Sequence, residues 1–402
     1  KHEIAETEQN KAGDATLTTR SSVPFVIRSA YKQTVDPNIQ NAAVTSSTWI
    51  GNPPSNQYPN KKKARQVHDL HLYENRIFVG CGDYNNNVGP VKIWSFDAGV
   101  TGQPSNFTEE YTVDEEVVSK FRSTTDTLYV PGKDATESWK YGNIYYKRNG
   151  SWTKKRTVPD AIHVNDLAAT SDGTIYVTAQ VAWRTPDGPR GYRTVYVSTD
   201  GGDTWQNCTT SQQGIKPLRD LVPFGDTVFG MPIAYFHEAQ CGYILRKTKM
   251  LRKYDSLLPG ITETSGGFSK LTRFRSGAVY LWGGKSGTSL IGLPRLSEKA
   301  RKIQLPSELE LQDIVSYDET CHVLALDTKS WDTCVYSSPD LKNWTKAAEV
   351  KLPARALSLE VTEEAFFIGL GTGDSGKFSD TSKSGSIYRV SKPDQEAACH
   401  AH

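Results

Sequence analysis

The sequence of 402 residues is poor in long apolar runs, in net charge and in cysteine. No stretch approaches the roughly 18 consecutive apolar residues of a membrane-spanning helix, which argues against an integral membrane protein. The 47 basic and 45 acidic side chains leave a formal net charge of +2, so a nucleic acid is not expected as the main partner. The longest basic run, Lys61-Lys62-Lys63-Ala64-Arg65, is interpreted as a solvated loop rather than a binding patch.

Cysteine is scarce, since six residues in a chain of 402 are too few for a disulfide scaffold, and none is arranged as CxxC. Cys321 and Cys334 lie on two adjacent strand-like runs, where either a cross-strand disulfide or two partly buried thiols would fit. The chain starts with the polar Lys1-His2-Glu3 and has no apolar signal segment there, so we expect a mature chain. Four N-glycosylation sequons favour a secreted, extracellular or cell-surface protein; they lie at Asn106, Asn149, Asn207 and Asn343.

Aromatic residues and turn formers are abundant instead. The chain has 9 Trp, 19 Tyr and 13 Phe beside 32 Gly, 20 Pro and only 2 Met, which favours strands and turns over helices. No P-loop, Rossmann glycine pattern, HExxH or GxSxG motif occurs in the sequence. The familiar motifs of nucleotide binding, zinc proteolysis and α/β-hydrolases therefore give no lead to the function.

A short pattern recurs along the chain: an apolar residue, a polar residue, often Asp, another apolar residue, and then a turn and a β-rich run. The clearest copy is Val67-His68-Asp69-Leu70. Seven copies begin at residues 67, 118, 164, 218, 271, 311 and 354, with spacings of 40 to 54 residues. A period of this length with four short strands per repeat is typical of β-propellers. We therefore predict an all-β fold, a seven-bladed β-propeller of four-stranded antiparallel blades.

The ring of blades must also close. Residues 391–402 read poorly as a strand, whereas residues 44–50 precede the first repeat and read well as one. We predict that this N-terminal strand is the outer strand of the last blade and fastens the two ends of the propeller together. Residues 1–20 are expected to be a mobile polar lead, and residues 21–402 a single propeller domain.

A turn motif supports this phasing of the repeats. The pattern Ser-x-Asp-x-Gly-x-Thr-Trp is complete once, at Ser198, Asp200, Gly202, Thr204 and Trp205. A second copy retains Ser95, Asp97 and Gly99, a shortened third retains Ser338, Asp340 and Trp344, and a worn fourth is Asn149-Gly150-Ser151-Trp152. In such a turn the Asp and Ser side chains hydrogen-bond backbone amides while Gly takes a positive φ, so a structural role is favoured over catalysis.

These turns resemble the Asp-box, or BNR, repeats of sialidase-like β-propellers. The resemblance implies a propeller over most of the chain, with the turns on the face opposite the active site. Sialidases of this kind carry a Phe/Tyr-Arg-Ile-Pro motif, and the nearest segment here, Pro24-Phe25-Val26-Ile27-Arg28, has the wrong order. The resemblance therefore supports the fold and not the sialidase activity.

A propeller would bring two sets of residues to one face around the central channel. The starts of the inner strands supply one polar residue per blade: His68, Ser119, Asn165, Arg219, Thr272, Gln312 and Arg355. The Asp that follows in four repeats is interpreted as a brace between blades; these residues are Asp69, Asp166, Asp220 and Asp313. The second set lies on the loops that join the second and third strands of each blade, here called B–C loops.

The B–C loops combine aromatic rings with Asp, Asn and Arg, which suits sugars because rings stack on a pyranose while planar polar groups bind its hydroxyls and carboxylates. Packing of the loops by the same aromatics is the alternative. The predicted catalytic residues offer acid, base and carboxylate-neutralising groups: His68, Asp83, Asp134, Tyr141, Arg184 and Arg219. The predicted binding residues are Tyr84, Trp139, His163, Asn165, Trp183, His237, Gln312, Trp331 and Arg355.

Two classes of function follow from this interpretation. The first is a secreted propeller that acts on or recognises extracellular glycans, as a glycoside hydrolase or polysaccharide lyase if it is an enzyme, and not as a typical sialidase. The alternative is a non-catalytic propeller that binds a glycan or a protein or has a structural role. No cofactor is predicted; a metal ion held at the channel mouth by His68, His163 and Asp83 is a subsidiary hypothesis.

Overall fold

Seven four-stranded antiparallel sheets make up the part of the chain that the structure, a computed structural model, describes. The described residues are 45–101, 106–185, 188–208, 218–232, 242–247, 249–254, 266–284, 287–295, 298, 300–305, 308–373 and 376–392. The seven-bladed β-propeller predicted from the repeats is confirmed. No helix within these ranges is long and apolar enough to cross a membrane.

The strands of each blade follow one another in the chain from the inner to the outer strand, except in blade 7. Strand β1 (Ser47–Gly51) belongs to blade 7 and is followed by a short helix, Pro54–Gln57. Blade 1 contains β2 (Asp69–Tyr73), β3 (Arg76–Gly80), β4 (Val91–Asp97) and β5 (Thr108–Val113). Blade 2 contains β6 (Arg122–Ser123), β7 (Leu128–Pro131), β8 (Tyr141–Arg148) and β9 (Ser151–Pro159). Blade 3 contains β10 (Ala161–Ala169), β11 (Ile175–Thr185), β12 (Gly188–Ser198) and β13 (Gln206–Asn207).

Blade 4 contains β14 (Leu218–Phe224), β15 (Thr227–Pro232), β16 (Gly242–Arg246) and β17 (Lys249–Tyr254). Blade 5 contains β18 (Gly266–Phe274), β19 (Gly277–Gly284), β20 (Gly287–Leu293) and β21 (Arg301–Ile303). Blade 6 contains β22 (Leu309–Tyr317), β23 (Thr320–Asp327), β24 (Thr333–Ser338) and β25 (Thr345–Val350). Blade 7 is completed by β26 (Arg355–Val361), β27 (Ala365–Gly371) and β28 (Ile387–Ser391). Short 3₁₀ turns span Tyr84–Asn86 and Thr381–Lys383.

The N-terminal strand closes the ring, as the sequence predicted. Blade 7 has the order β1-β28-β27-β26, so β1 is its outer strand. The pair is antiparallel, with Ser47 opposite Val390 and Trp49 opposite Tyr388. Just before β1, the amide of Thr45 donates a hydrogen bond to the carbonyl of Glu349 in blade 6 at 2.9 Å. The start of the described chain is thereby held by two adjacent blades.

The blades pack face to face, so the middle strands are buried on both sides. In β3 the consecutive residues Ile77, Phe78 and Val79 are at most 1% exposed, a continuous apolar run rather than the alternation of a one-sided sheet. The ring centroid of Phe78 lies 6.2 Å from that of Phe121, which immediately precedes β6 of blade 2. Burial of a side chain of this size contributes about 1.5–3 kcal/mol. Contacts of this kind hold neighbouring blades together.

The turns at residues 95–101, 198–205 and 338–344, here called the Ser-Asp turns, each join the third and fourth strands of a blade. At 198–205 the Oδ1 atom of Asp200 accepts hydrogen bonds from the Oγ of Ser198 at 2.7 Å and from the amide of Thr204 at 3.0 Å. Gly202 has φ +91°, and the Nε1 of Trp205 donates to Thr157 Oγ1 of blade 2 at 2.9 Å. These contacts saturate the polar side chains and lower the pKa of Asp200.

Residues 149–152 do not form a Ser-Asp turn, contrary to the sequence interpretation. Arg148 pairs with Ser151 across a two-residue hairpin loop, in which Asn149 and Gly150 have φ values of 50° and 76°. The reason is the Asn-Gly dipeptide, which favours a type I′ turn between two twisted strands. In the turn at 338–344, Leu341 adopts φ 62° where the complete motif has glycine.

Cys321 and Cys334 are buried free thiols, so of the two alternatives the cross-strand disulfide is wrong and the pair of buried thiols is correct. In the ladder of β23 and β24, Cys321 lies opposite Ser338 and Cys334 opposite Ala325. This offset along the strands separates the two Cα atoms by roughly 14 Å, about twice the reach of a disulfide. Burial raises the pKa of both thiols to about 12.

The four sequons differ in their surroundings. Asn106, Asn149 and Asn343 are exposed, whereas Asn207 is half-buried in β13 and its amide oxygen accepts a hydrogen bond from Thr194 Oγ1 at 2.8 Å. The Nδ2 of Asn343 donates to Asp340 within its turn at 2.7 Å. Glycosylation at these four asparagines stays a prediction.

Candidate functional site

The Asp shared by the repeats lies on the wall of the central channel and joins neighbouring blades. Asp69 of blade 1 accepts the amide of Phe121, which leads into blade 2, at 2.7 Å. Two further bonds repeat this geometry: the amide of Leu221 in blade 4 donates to Asp166 of blade 3 at 2.9 Å, and that of Leu359 in blade 7 donates to Asp313 of blade 6 at 3.0 Å. These bonds give three of the repeated aspartates the bracing role that the sequence predicted.

Cations on the same wall neutralise the carboxylates. Lys120 lies 3.1 Å from Asp166 and also pairs with Asp220, and the guanidinium of Arg122 contacts Asp166 at 2.8 Å. Burial alone would raise the pKa of Asp166, but these two cations outweigh it and the pKa lies below its ordinary value. Lys270 of blade 5 lies 3.3 Å from Asp313. A cavity of about 310 Å³ within the channel is bordered by the inner strands of blades 1, 2, 5, 6 and 7. Its lining includes the pair of Lys270 with Asp313, and Glu360, which accepts the amide of Leu72 at 2.7 Å.

Two loops and one connector form the face of the propeller over blades 1 to 3. The connector at residues 114–121 lies between the B–C loops of blades 1 and 2, because Gly82 bridges to Val117 and Glu115 bridges to Ala135. The fully buried Glu115 accepts hydrogen bonds from Asn143 Nδ2 at 2.6 Å and from the Asp134 amide at 2.9 Å. Burial nevertheless raises the pKa of Glu115 to about 7. This buried carboxyl group fixes the loop that carries Lys133 and Asp134.

Four side chains from three blades meet above Glu115. The Nδ1 of His163 donates to the carbonyl of Lys133 at 2.5 Å, which leaves its Nε2 as an acceptor, and the same ring lies 3.8 Å from the carboxylate of Asp134. The Tyr84 ring lies edge-on to His163 at 6.1 Å, and the amine of Lys133 lies 5.6 Å from the Tyr84 centroid. This cluster joins the B–C loops of blades 1 and 2 to the start of blade 3.

The electrostatics of the cluster are unusual for a surface. Burial and then Glu116 raise the pKa of Asp134 to about 6, although the charge of Lys133 lowers it. Burial and then Arg219 lower the pKa of Lys133 to about 8, and burial lowers the pKa of His163. Groups that titrate close to neutral pH are typical of functional sites.

Three exposed aromatic side chains share this face. Tyr84 is 41% exposed, Trp139 52% and Tyr141 37%, and they are the exposed large hydrophobic side chains of the described residues. Tyr84 belongs to the B–C loop of blade 1, Trp139 to that of blade 2, and Tyr141 begins the strand that follows it. The amine of Lys140 lies 5.6 Å from the Tyr141 ring. We define the blade 1–3 rim as Tyr84, Lys133, Asp134, Trp139, Tyr141 and His163.

His68 and Asp83 lie beside this rim, but their side chains form hydrogen bonds with the B–C loop of blade 1. The Nε2 of His68 donates to the carbonyl of Gly82 at 2.9 Å, and burial lowers the pKa of the ring. Asp83 accepts from the amide of Asn85 at 3.1 Å and from Asn86 Nδ2 at 2.6 Å, which begins the 3₁₀ turn that presents Tyr84. Within the described ranges, no group of three or more His, Cys, Asp or Glu side chains is arranged to hold a metal ion.

A second group lies across the channel, on blades 6 and 7. Arg355 pairs with Glu310 and lies 3.4 Å from Gln312 Oε1. The half-buried ring of Trp331 contacts Phe378 at 5.9 Å between centroids, and the amine of Lys377 lies 4.0 Å from the Trp331 centroid. We define the blade 6–7 rim as Glu310, Gln312, Trp331 and Arg355.

The remaining predicted residues divide between the channel wall and the part of the chain that is not described. Arg219 lies on the wall, 3.8 Å from Asp220. Asn165 is half-buried, and its side-chain nitrogen is buried without a hydrogen-bond acceptor. Trp183 and Arg184 belong to β11, but their side chains are outside the described set, and His237 lies outside the described residues.

Lys133 and Glu115 were missed by the sequence analysis. Lys133 stands beside Asp134 on the B–C loop of blade 2, but its neighbours in the sequence do not reveal that it lacks an ion-pair partner among the described residues. Glu115 occurs in the acidic run 114–116, and its burial becomes visible only in the fold, through the bridge to Ala135 and the hydrogen bonds from Asn143 and Tyr145. The sequence did offer one signal for these two residues: both lie on connections that a propeller brings to the face of the B–C loops.

Comparison with known proteins bears on the fold. No protein-family model and no curated protein matches the chain. Virginiamycin B lyase from Staphylococcus aureus matches with a TM-score of 0.52 at 9% sequence identity, over 87% of this chain and 99% of its own. The chain shares the fold of known β-propellers. YCF48 bound to a D1 peptide matches with a TM-score of 0.50 at 12% identity, over 88% of this chain and 99% of its own. At such identities the likeness shows the fold alone.

Proposed function

We propose that this protein is a secreted recognition propeller that binds extracellular glycans at the blade 1–3 rim. The observation that carries the proposal is the exposure of Tyr84, Trp139 and Tyr141 on one face. An exposed aromatic ring costs solvation unless a ligand covers it, and a pyranose offers a matching apolar face. The exposed sequons at Asn106, Asn149 and Asn343 support the extracellular location.

The polar groups of the rim support the same ligand class. Lys133 has no carboxylate within ion-pair distance among the described residues, and the Asp134 carboxylate has no hydrogen-bond donor there. Both groups are fixed by backbone contacts of their loop. Such groups can bind sugar hydroxyls and carboxylates without first breaking an internal bond.

Catalysis is a second candidate, favoured by Asp134 and His163. Their side chains lie 3.8 Å apart, and a carboxyl group of pKa about 6 is suited to proton transfer near neutral pH. The neighbouring carboxylates are engaged elsewhere, since Glu116 accepts the amide of Gly89 at 2.6 Å and Asp83 is bonded to its own turn. Glycoside hydrolysis by two carboxylates is therefore less well supported than binding.

The test is binding of the purified chain to a panel of neutral, sialylated and uronate-containing glycans, measured by isothermal titration calorimetry. We expect Tyr84→Ala and Trp139→Ala each to weaken binding about 10-fold, as expected for loss of one stacking ring. Trp331→Ala is the matched aromatic truncation on the blade 6–7 rim and should leave the affinity unchanged. Loss of binding in Trp331→Ala alone would place the ligand on the other rim. Product release that Asp134→Asn abolishes would establish the catalytic alternative.

A further inference from the structure

The connector between blades 7 and 1 presents three lysines on the same face as the blade 1–3 rim. It runs from β1, the outer strand of blade 7, to β2, the inner strand of blade 1, as the connector at 114–121 runs from blade 1 to blade 2. Lys61, Lys62 and Lys63 are all exposed, and so is Lys383 on the neighbouring B–C loop of blade 7. We define these four residues as the lysine ledge.

The ledge is held in place by hydrogen bonds between its two segments. The Oγ of Ser384 donates to the carbonyl of Lys62 at 2.7 Å, and Arg65 Nη2 donates to the carbonyl of Ser382 at 3.0 Å. Gly385 has φ +92°, and a Cβ atom there would lie 2.9 Å from the carbonyl oxygen of Arg65. Because the backbone is fixed in this way, binding through the lysines would not have to order a loop first.

The ledge concentrates positive charge that the fold offsets only in part, through the electrostatic interaction of Asp380 with Lys62 and Lys383. None of its four lysines forms an ion pair with a carboxylate of the described residues. Asp380 is the one acidic residue in the two segments 59–66 and 376–385, and its carboxylate accepts the amide of Ser382 at 2.9 Å. The whole chain carries a net charge of only +2, so the ledge is a local excess rather than part of a basic surface. An excess of this kind attracts polyanions.

The ledge adjoins the loop that carries Tyr84. The amide of Gly82 donates to the carbonyl of Ala64 at 2.8 Å, and the Nε2 of Gln57 donates to the carbonyl of Pro90 at 2.7 Å. The B–C loop of blade 1, at residues 81–90, is thus joined to the connector at both of its ends. Beyond Tyr84, the positive charge continues with Lys133.

We propose that the ligand of the rim is a polyanionic glycan whose sulfate or uronate groups lie along the lysine ledge while its sugar rings stack on Tyr84 and the neighbouring aromatics. This inference rests on the proposed function, since it names the class of glycan. An anionic membrane surface is less well supported because the exposed large hydrophobic side chains of the described residues are two Tyr and one Trp, with no large aliphatic side chain among them, and stable attachment to lipid needs buried apolar side chains beside basic ones.

Two pairs of ligands test the inference, and the members of each pair share a sugar backbone but differ in charge. The pairs are dextran sulfate with dextran, and oligogalacturonate with its methyl ester. The ledge variant Lys61→Gln/Lys62→Gln/Lys63→Gln is compared with Lys302→Gln/Lys342→Gln/Lys351→Gln, three exposed lysines elsewhere with the same change in charge. We expect the wild-type chain to prefer the anionic member of a pair, and the ledge variant to lose about 10-fold in affinity for it and to show a shallower dependence on salt. The control triple variant should change less than about 3-fold.

The outcomes separate the two proposals. Equal binding of the neutral and anionic members, lost in Tyr84→Ala and kept in the ledge variant, would overturn the polyanion inference and leave glycan recognition standing. No binding of any glycan, with ledge-dependent binding to vesicles of phosphatidylserine and phosphatidylcholine, would overturn both. Binding of dextran sulfate that both triple variants weaken equally would show a non-specific charge effect and overturn the inference alone.

Discussion

Asp166 on the channel wall and Asp134 on the blade 1–3 rim are both shielded carboxylates, and the fold treats them in opposite ways. Asp166 accepts a hydrogen bond from the amide of Leu221 and pairs with Lys120 and Arg122, so its pKa is lowered. Among the described residues, Asp134 has one cationic side chain within ion-pair distance, His163 at 3.8 Å, and burial and Glu116 raise its pKa to about 6. The wall pairs Asp166 with cations where the carboxylate joins two blades, whereas the rim leaves Asp134 available to a ligand.

The largest effect that can test this contrast is on stability. Asp166→Asn removes one partner from a buried network and leaves Lys120 and Arg122 without their shared carboxylate, so we expect a loss of about 3–5 kcal/mol in the free energy of unfolding. Asp134→Asn removes no pairing that the fold uses, and because the raised pKa of Asp134 means that its ionised carboxylate opposes folding at pH 7, we expect the variant to be at least as stable as the wild type. Urea unfolding of the two variants at pH 7 measures both. A similar loss in both variants would mean that Asp134 is as structural as Asp166.

The fold was predictable because it depends on a repeated pattern. The spacing of the Asp-containing motif predicted seven blades, and the strand-like residues 44–50 predicted the closure that β1 provides. The bracing role of Asp69, Asp166 and Asp313 followed from repetition as well, since a residue present in several blades serves what the blades share.

The site was only partly predictable, because it depends on which polar side chains lack hydrogen-bond or ion-pair partners in the folded chain. The sequence selected Asp134, Tyr84 and His163 but not Lys133, whose lack of an acidic partner appears only when three loops meet. Asp83 looks equivalent to Asp134 in the sequence, yet its carboxylate is bonded to its own turn. Likewise, the sequence placed Cys321 and Cys334 on adjacent strands but not in register, which decides whether they can bond.

A smaller effect comes from Glu115, the buried group that connects the rim to the blades. Its pKa rises from 4.5 to about 7, chiefly through burial, so between these values the folded chain binds a proton that the unfolded chain has released. Stability contributed by this proton is complete below about pH 4.5 and is lost as the pH rises through 7. We expect the whole loss to be on the order of 3 kcal/mol.

Glu115→Gln removes this proton-binding group, so its unfolding free energy should vary less between pH 5 and 7.5 than that of the wild type. Urea unfolding at half-unit intervals of pH measures the slope. Glu360→Gln is a useful comparison on the channel wall, because burial raises the pKa of Glu360 to about 8 and the flattening should then extend to higher pH. An unchanged slope in Glu115→Gln would show that the carboxyl group stays ionised in the folded chain.

The smallest expected effect is on the pH dependence of ligand affinity. For an acidic glycan such as oligogalacturonate, ionisation of Asp134 near pH 6 adds a repelling charge at the rim, and deprotonation of Lys133 near pH 8 removes an attracting one. Affinity should therefore fall as the pH rises, in two steps of about 5-fold each, the equivalent of roughly 1 kcal/mol per step. Calorimetric titrations from pH 5 to 9 at fixed ionic strength follow both steps. Asp134→Asn should remove the lower step and Lys133→Gln the upper one, while Lys302→Gln should keep both; a single profile shared by all four proteins would mean that the ligand does not touch the blade 1–3 rim.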